Sequence, residues 1–421
     1  MLDIKFIRQN PNKVKEGCKN KRVEVDIDRL LEVDKKRRET LQALEDIRSQ
    51  KNKANKEIQE AKNKKEKDKI ILKMRELDKN SDRLTKTLKE LEGEFNNLML
   101  QIPNLPLADV PIGGDERDNV VLREWGEKPK FDFKPKNYLA ISENLDLIDV
   151  KRAAKISGTR FGILKKEAAL LEFSLINFTF ETLINDGFIP VIPPIMLKPE
   201  MLEKSGHLSE KDKPERYFIE KDNVYLAGTA EQPIAAMHAD EIFEEKDLPR
   251  RYLGFSTCFR REAGASGKDT KGIFRVHQFD KIEMFSICHP EKSSREHQFL
   301  LSCQEKLMQS LKIPYRVIQI CTGDLGFPAA AAYDVEAWLP SENRYRETHT
   351  TFNDTDFQTR RLNIRYRDSK TKKLAIPHAL NGTAFAIGRI LIAIIENYQQ
   401  KDGKIFVPEA LQKYLNFKII Q

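Results

Sequence analysis

A long N-terminal segment of this sequence contains no helix-breaking residue, because neither glycine nor proline occurs between Gly17 and Gly93. The segment is rich in Lys, Glu, Leu and Arg, which favour helices. In its second half, apolar residues recur with the spacing of a heptad: Leu77, Leu84, Leu91 and Leu98, with Leu88 and Phe95 at the second seam position. The first half carries a weaker run of the same kind: Leu30, Val33, Leu41 and Leu44. This periodicity predicts a coiled coil.

The middle of the segment predicts a reversal of the chain. Residues 63–68 are its most polar stretch, so we expect two helices, over residues 27–100, to pack antiparallel as a hairpin. Asp26 or Asp28 is the expected cap of the first helix. Each arm of about 35 residues would be roughly 50 Å long at about 1.5 Å per residue. Apolar seam positions become sparse over residues 48–69, near the predicted tip, and this favours contact with a partner. A solvated helical surface and a dimerisation coiled coil remain equally open.

The basic charge of the chain is concentrated in this N-terminal quarter. The net charge is +8, and residues 1–100 hold 27 Lys and Arg against 20 Asp and Glu, a balance of +7. Such asymmetry indicates a polyanionic partner, with nucleic acid the leading candidate.

Prolines and glycines then mark the end of the hairpin and the start of a second domain. Pro103, Pro106, Pro111 and Gly113 with Gly114 form a linker, so we predict one domain over residues 1–103 and another over 104–421. In the second domain, the sequence pattern predicts helices over 167–183, 291–311 and 384–399. It predicts strands over 188–194, 224–226, 251–257 and 279–287. Because these strands alternate irregularly with helices, the pattern predicts an α+β fold with an antiparallel sheet.

Several classes of protein are disfavoured by simple features. No basic start followed by an apolar core is present at the N-terminus, and no apolar run approaches the roughly 18 residues of a membrane span. The five cysteines are scattered without a CxxC pair, and the seven histidines make no HxxxH group. We therefore expect a cytoplasmic protein with reduced thiols, no zinc and no membrane association.

One run in the second domain has the chemistry of a nucleotide site. Residues 258–262 read CFRRE, 263–272 read AGASGKDTKG and 274–283 read FRVHQFDKIE. We interpret the run as strand, Gly/Lys loop, strand, with Arg260, Arg275, Lys268 and Lys271 close together. Clustered cations suit a triphosphate, and an aromatic ring such as Phe279 can lie beneath a base. A P-loop is excluded, since neither the Ser or Thr after the lysine nor the first glycine of that motif is present.

This run resembles motif 2 of the class II aminoacyl-tRNA synthetases, and its loop resembles that of the bacterial-type seryl-tRNA synthetases. Further segments occur in the order typical of that family. Residues 187–188 with 191–194 resemble motif 1 (about 183–194), residues 229–231 the TxE element, and residues 381–389 the start of motif 3 (about 381–396), with motif 2 at about 257–283. Residues 322–338 and 345–361 resemble two further runs of the family, so the resemblance covers essentially the whole chain.

The resemblance implies a homodimeric ligase that activates L-serine with ATP and Mg²⁺ and then transfers serine to tRNA(Ser), and to tRNA(Sec) if the host has it. The implied fold is the class II antiparallel β-sheet flanked by helices, with an N-terminal antiparallel α-helical coiled-coil arm that contacts tRNA. Its implied catalytic residues are Arg260, Glu347 and Arg389. Its implied ATP-binding residues are Arg260, Arg261, Glu262, Arg275, Val276, Phe279, Glu347, Thr348, His349, Thr350 and Arg389. Its implied serine-binding residues are Thr229, Ala230, Glu231, Arg260, Glu283, Asn381 and Thr383.

Individual roles follow from the same resemblance. Arg260 would bridge the serine carboxylate and the α-phosphate, and Arg389 would hold the γ-phosphate. Phe279 would stack on the purine, while Glu262 and the Val276 backbone would bind its edge. Glu347 and Thr350 would carry Mg²⁺, since oxygen ligands suit that cation.

The sequence departs from the family pattern at a few positions. Phe352 replaces a small polar residue, Thr383 stands in a motif 3 that reads GTAF in place of GSGL, and His207 stands where glutamine is common. None of these changes removes a charge that the chemistry needs.

Two other functions are compatible with part of the pattern. A ligase that loads an amino acid onto a carrier protein would be expected to lack the long arm. A non-catalytic nucleic-acid-binding relative would be expected to have lost ATP-site residues such as Arg260 and Arg389, which are present here.

Overall fold

The chain folds into two compact units, residues 2–103 and residues 104–421, the latter also including Met1. The computed structural model describes residues 1–209, 212–263, 267, 269 and 271–421. Lys268, one of the cations expected in the Gly/Lys loop, lies outside the described residues.

The N-terminal unit is helical. Its helices are α1 (Ile4–Gln9), α2 (Pro11–Asn20), α3 (Ile27–Glu60) and α4 (Lys64–Leu100). Asp26 caps α3, since its side chain accepts a hydrogen bond from the backbone N–H of Arg29, whereas Asp28 pairs with Lys15. The two long helices confirm the predicted helical arm.

The reversal between the long helices lies a few residues earlier than expected. Residues 61–63 separate α3 from α4, and residues 64–68 are already helical. The physical reason is the Asn63 side chain, which accepts from the backbone N–H of Glu66 at 2.9 Å and so caps α4.

Contacts between α3 and α4 have the register of an antiparallel pair. Arg29 Nε lies 2.7 Å from Glu94 Oε1, and Lys51 Nζ lies 2.6 Å from Asp78 Oδ1. Apolar side chains of both helices are buried along the seam: Ile27, Leu30, Val33 and Ala54 from α3, with Leu77, Phe95 and Met99 from α4. The remaining predicted heptad leucines of α4 are half-buried, as expected of a two-helix seam.

A central β-sheet organises the second unit. Its strands, within the described residues, are β1 (Val120–Trp125), β2 (Ile189–Val191), β3 (Arg250–Phe259), β4 (Gln278–Cys288), β5 (Tyr315–Gln319), β6 (Ala331–Leu339), β7 (Arg344–Asn353) and β8 (His378–Ala386). Their order across the sheet is β1-β5-β6-β7-β8-β4-β3-β2. All neighbours are antiparallel except β2, which pairs with β3 in parallel. The predicted α+β class with an antiparallel sheet is therefore confirmed.

Helices and short strands surround this sheet. The helices are α5 (Tyr138–Asn144), α6 (Val150–Ser157), α7 (Lys166–Ile184), α8 (Pro199–Lys204), α9 (Glu231–Ala236), α10 (Ser293–Ser310), α11 (Phe357–Arg361) and α12 (Ile387–Asn397). Short strands pair as Ile148–Asp149 with Ile163–Leu164, Met196–Leu197 and Phe218–Ile219 with Val224–Leu226, Ile242–Glu244 and Leu374–Ala375 with Arg365–Arg367, and Ile405–Phe406 with Ile419–Ile420. Within the described part of the chain, no helix is both long and apolar enough to cross a membrane.

The main core lies between one face of the sheet and three helices. Leu171 of α7, Leu300 of α10 and Leu391 of α12 are fully buried with Met284 of β4 and Val335 of β6. Burying such side chains is worth roughly 1.5–3 kcal/mol each. This packing leaves the opposite face of β4, β7 and β8 free to carry polar residues.

The predicted helices and strands of the second unit are all present, but two differ in their bounds. The strand expected at 188–194 covers only Ile189–Val191, and the helix expected at 384–399 begins later than predicted. The helices expected at 167–183 and 291–311 are α7 and α10, and the strands expected at 251–257 and 279–287 are β3 and β4. The helix expected at 384–399 starts at Ile387, because residues 384–386 still belong to β8, where Ala386 pairs with Lys281 of β4.

Candidate active site

Polar side chains project from the middle of the sheet into one cavity of about 640 Å³. Along β4, every second residue faces this cavity, namely Phe279, Lys281 and Glu283, while Ile282 and Met284 face the core. The neighbouring strands add residues at the same level: Glu347, Thr348 and Thr350 from β7, and Asn381 and Thr383 from β8. The sheet register thus brings together residues that are far apart in the sequence.

Most of the predicted site residues line this cavity. Those that do are Thr229, Glu231, Arg260, Glu262, Arg275, Val276, Phe279, Glu283, Glu347, Thr348, Thr350, Asn381, Thr383 and Arg389. Segments 274–276 and 259–262 flank the Gly/Lys loop, and Arg389 stands in the first turn of α12.

One end of the cavity is built around two buried carboxylates. Glu283 is 2% exposed, accepts from Thr229 Oγ1 at 3.3 Å and forms an ion pair with Lys281. Glu231, also buried, accepts from Gln358 Nε2 at 2.7 Å. Burial raises the pKa of both carboxyl groups, Glu231 and Glu283. A cationic ligand would favour their ionised forms, so this end suits an ammonium group.

The other end is built from charge pairs between arginines and glutamates. Arg275 Nη1 lies 2.8 Å from Glu262 Oε2, and Arg389 Nη1 lies 2.7 Å from Glu347 Oε1. Although burial opposes the ionised form of Glu347, the charge of Arg389 and its hydrogen bond hold the pKa of that carboxyl below its ordinary value. These arginines are therefore oriented before any anion arrives.

An aromatic ring and a third arginine lie between the two ends. The Arg260 guanidinium carbon is 5.3 Å from the centre of the Phe279 ring. Arg260 Nε donates to the carbonyl of Gly228 at 3.2 Å, which fixes the side chain above β4. The Arg260 guanidinium is therefore held where it can contact groups bound at either end of the cavity.

Side-chain oxygen atoms of Thr350 and Asp334 belong to the same part of the sheet as Glu347. Thr350 Oγ1 lies 3.5 Å from Glu347 Oε1. Asp334, on the neighbouring strand β6, is paired with Thr350 in the sheet, and burial together with the charge of Glu347 raises the pKa of the Asp334 carboxyl. Carboxylate and hydroxyl oxygens are ligands that Mg²⁺ accepts. Among the described residues, no three His, Cys, Asp or Glu side chains are grouped as a metal site on their own, so a Mg²⁺ ion here would need further ligands from a bound phosphate.

Three predicted site residues are not among those that line the cavity. The Ala230 side chain packs in a hydrophobic cluster with Ile234 and Phe285. Arg261 is exposed, with its guanidinium carbon 5.5 Å from the Tyr217 ring centre. His349 is buried on β7, with its ring centre 5.5 Å from that of Phe385.

Other cavity residues had no role assigned from the sequence. They are Asp212, Glu215, Arg216, Gln232, Ile273, Phe274, Lys281, Ala386 and Gly388, together with His207 and Phe352, noted there only as departures from a pattern. The alternation along the predicted strand 279–287 was a signal that could have found Lys281. No comparable sequence signal indicated a role for Phe274. In the structure, its ring centre lies 3.9 Å from the Arg346 guanidinium carbon and 4.9 Å from that of Arg389.

The fold and this cavity define a class of protein. An antiparallel sheet with an arginine on the helix behind it and a strand–loop–strand carrying Arg260 and Glu262 is the arrangement of the class II aminoacyl-tRNA synthetases. The family model of the tRNA synthetase class II core domain (G, H, P, S and T) matches residues 217–398. The model of the seryl-tRNA synthetase N-terminal domain matches residues 1–106.

Full-length relatives narrow the class to one family. A serine–tRNA ligase of Thermodesulfovibrio yellowstonii is 42% identical, over 100% of both chains. A crystal structure of seryl-tRNA synthetase from Pyrococcus horikoshii complexed with ATP aligns with a TM-score of 0.93 at 41% identity, covering 100% of this chain and 99% of that one. The cytoplasmic serine–tRNA ligase of Naegleria fowleri in complex with AMP aligns with a TM-score of 0.89 at 34% identity, with the same coverage. The chain belongs to the seryl-tRNA synthetase family, whose members are serine–tRNA ligases.

Proposed function

We propose that the cavity joins L-serine to ATP as seryl-adenylate and then passes serine to the 3′ end of tRNA(Ser). One observation carries this proposal: a single cavity of about 640 Å³ has buried carboxylates at one end and oriented arginines at the other. The first end suits an amino acid's ammonium group, and the second suits a triphosphate. The family relation supports the same assignment.

ATP binding would use the arginine-lined end. Arg389 would hold the γ-phosphate, Phe279 would stack on the purine, and Glu262 and the backbone of Val276 would bind its edge. The P. horikoshii and N. fowleri relatives were solved with ATP and AMP respectively, which supports nucleotide binding here.

Serine would bind at the carboxylate end. Its ammonium group and hydroxyl would be satisfied by Glu231, Glu283 and Thr229, with Asn381 and Thr383 alongside. A site built for a hydroxyl and an ammonium leaves buried polar groups unpaired when alanine binds, and this is how such a site discriminates.

Adenylate formation needs two anions to meet. An oxygen of the serine carboxylate forms a bond to the α-phosphorus of ATP while the bond from that phosphorus to pyrophosphate breaks. Arg260, held between the two ends of the cavity, would neutralise charge on both reacting groups, so that most of the rate comes from positioning and electrostatics. The terminal hydroxyl of tRNA then attacks the serine carbonyl, and AMP leaves.

Magnesium would enter with the triphosphate. Glu347 and Thr350 would be its protein ligands, and the ion would supply additional positive charge against the phosphates. The lowered pKa of Glu347 favours the ionised carboxylate that such a ligand requires.

The helical arm would bind the polyanion. Its excess of basic residues, +7 over residues 1–100, fits contact with the tRNA backbone. Transfer to tRNA(Sec), where the host has one, would use the same arm.

A homodimer would form on α7 and the adjoining strand β2. Leu170 and Phe173 of α7 and Ile189 of β2, with Ile192 beyond it, are exposed large apolar residues. Such a patch on an open sheet edge fits an interface between two copies.

The five cysteines are all free, which fits a reducing cytoplasm.

The experiment is ATP–pyrophosphate exchange with serine, threonine, alanine and cysteine, followed by charging of tRNA(Ser). We expect exchange with serine and transfer to tRNA. Exchange with a different amino acid would reject the assigned specificity. A folded protein with Mg²⁺ that catalyses no exchange would instead be the non-catalytic relative, and exchange without transfer to tRNA would favour the carrier-protein ligase.

A further inference from the structure

A histidine lies against one of the two buried carboxylates. His207 Nε2 is 3.4 Å from Glu231 Oε1, and the His207 side chain is 15% exposed. His207 lines the cavity but belongs to the chain segment after α8, 24 residues before Glu231 in the sequence. None of the roles proposed above uses it.

The backbone holds this imidazole in place. The His207 N–H donates to the carbonyl of Leu202 at 3.0 Å, which closes the C-terminus of α8. The preceding Gly206 has φ +87°, and a Cβ there would lie 3.2 Å from the Phe357 ring. The left-handed conformation favours glycine at 206, and a side chain there would also crowd the Phe357 ring. The ring is therefore set by a tight turn rather than carried on a free loop.

Hydrogen bonds of Ser205 determine the tautomer of His207, and so which ring nitrogen carries the lone pair. The Ser205 hydroxyl donates to the carbonyl of Leu202 at 2.8 Å, so its oxygen is available to accept from His207 Nδ1 at 3.2 Å. Burial, followed by the charge of Arg216, lowers the pKa of His207 to about 3, which keeps the ring neutral at physiological pH. A neutral ring with its proton on Nδ1 has an acceptor at Nε2.

Two acceptors thus lie side by side at the serine end. Glu231 Oε1 is already oriented by Gln358 Nε2 at 2.7 Å, and His207 Nε2 stands next to it. A primary ammonium has three N–H donors on one nitrogen and can donate to both atoms at once. A ligand group with a single donor cannot.

From this geometry we propose that His207 is a further substrate-binding residue, whose Nε2 accepts one hydrogen of the serine α-ammonium while Glu231 accepts another. The inference rests on the proposed function and names the contact that fixes the orientation of the amino acid. Ser205 acts as a positioning residue, since it holds the proton of the ring on Nδ1.

The test compares His207→Ala with His207→Gln in ATP–pyrophosphate exchange, measuring KM for serine and KM for ATP separately. We expect His207→Ala to raise KM for serine about tenfold, the range of one hydrogen bond to a charged group, with KM for ATP within about twofold of the wild type. His207→Gln should recover part of the loss, because its amide oxygen can accept. Ser205→Ala should fall between His207→Gln and the wild type. His289→Ala, the same change at a histidine outside the cavity, should match the wild type.

Alanine, used as a competitor of serine, tells which substrate group is contacted. It has the same ammonium but no hydroxyl, so His207→Ala should weaken inhibition by alanine by the same factor as it raises KM for serine. Weaker serine binding with unchanged alanine inhibition would move the contact to the hydroxyl and overturn the proposal.

Two further outcomes would also overturn it: an unchanged KM for serine in His207→Ala, or equal rises in KM for serine and ATP, which would indicate a structural role. If His207→Ala does not fold, His207→Leu fills the same space without an acceptor and carries the same expectation. Failure of the proposed function is distinguishable, because the wild type itself would then show no exchange with serine.

Discussion

At the scale of single residues, the cavity is a set of charged groups held by one another before a substrate binds. Arg389 is fixed by Glu347 at 2.7 Å and by its contact with the Phe274 ring. Fixed donors cost little reorganisation when charge develops, which is the main source of electrostatic catalysis. Substitutions that keep the charge but lose the geometry should therefore be costly.

Arg389→Lys is a direct test of this argument. A lysine keeps the charge but has no planar fork to hold Glu347 and a phosphate together. We expect kcat/KM for ATP in pyrophosphate exchange to fall by about tenfold to a hundredfold, as for the loss of one or two charge-assisted hydrogen bonds. Arg344→Lys, the same change at an exposed arginine paired with Glu342 at 2.6 Å, is the control and should change little. Equal activity of Arg389→Lys and the control would refute the role given to Arg389.

A second residue-scale prediction concerns pH and stability. Burial, followed by the hydrogen-bonded carboxylate of Asp280, raises the pKa of Glu172 from 4.5 to about 8. The folded state therefore binds this proton more tightly than the unfolded state, so the contribution to stability is complete below about pH 4.5 and is lost as the pH rises towards 8.

Glu172→Gln removes this titration. Between pH 5 and pH 8.5, the Tm of the wild type should fall relative to that of Glu172→Gln by several degrees. Both are measured by calorimetry in buffers of equal ionic strength. A constant difference across that range would show that Glu172 does not titrate there.

At the scale of elements, the two long helices form a separable part of the N-terminal unit. Arg29 and Glu94 pair near the base of the hairpin, and Lys51 and Asp78 pair farther out. Moving six residues along each helix from the Arg29–Glu94 pair leads to residues 35 and 88. A deletion between those positions keeps the base contacts and removes the distal part of the arm.

Replacing residues 36–87 with a short Gly/Ser loop should leave serine-dependent pyrophosphate exchange within about twofold of the wild type. Charging of tRNA should fall by at least a hundredfold, because the deletion removes basic residues that would contact the tRNA backbone. A matched variant with the full arm and Lys62, Lys64, Lys65 and Lys67 changed to Gln should weaken charging less and flatten its salt dependence. Unchanged charging by the deletion variant would exclude the arm from tRNA binding.

At the scale of the whole molecule, an exposed apolar patch predicts self-association. Phe173 on α7 is 63% exposed and Ile192, beyond β2, is 81% exposed. Leaving such side chains in water is unfavourable, by roughly 25 cal/mol per Å² of apolar surface. The patch adjoins β2, an edge strand of the central sheet.

Light scattering at micromolar concentration should give the mass of a dimer for the wild type. Phe173→Glu combined with Ile192→Glu should shift that mass towards a monomer, because a charge in an apolar interface is costly unless paired. Leu122→Glu, a similar change at an exposed leucine of β1 on the opposite sheet edge, should remain dimeric. A monomeric wild type would exclude the proposed dimer.

The amino-acid sequence by itself determined the features that depend on local patterns. The absence of glycine and proline and the heptad spacing predicted the long helices, and short runs of strand-forming residues predicted β3 and β4. Family motifs identified Arg260, Glu262 and Arg389 as site candidates, and the structure brings them to one cavity. Each of these signals lies within a short run of residues, so each is readable without knowledge of the tertiary fold.

Only the tertiary structure decided which distant groups meet. The placement of His207 beside Glu231, of Phe274 between Arg346 and Arg389, and of Lys281 against Glu283 depends on strand register and on the turn after α8. The burial of His349 in the core and the end of the arm's reversal at Asn63 were likewise visible only in the tertiary structure. Such contacts join residues by long-range pairing and packing, and their selection is a property of the whole fold rather than of any local pattern.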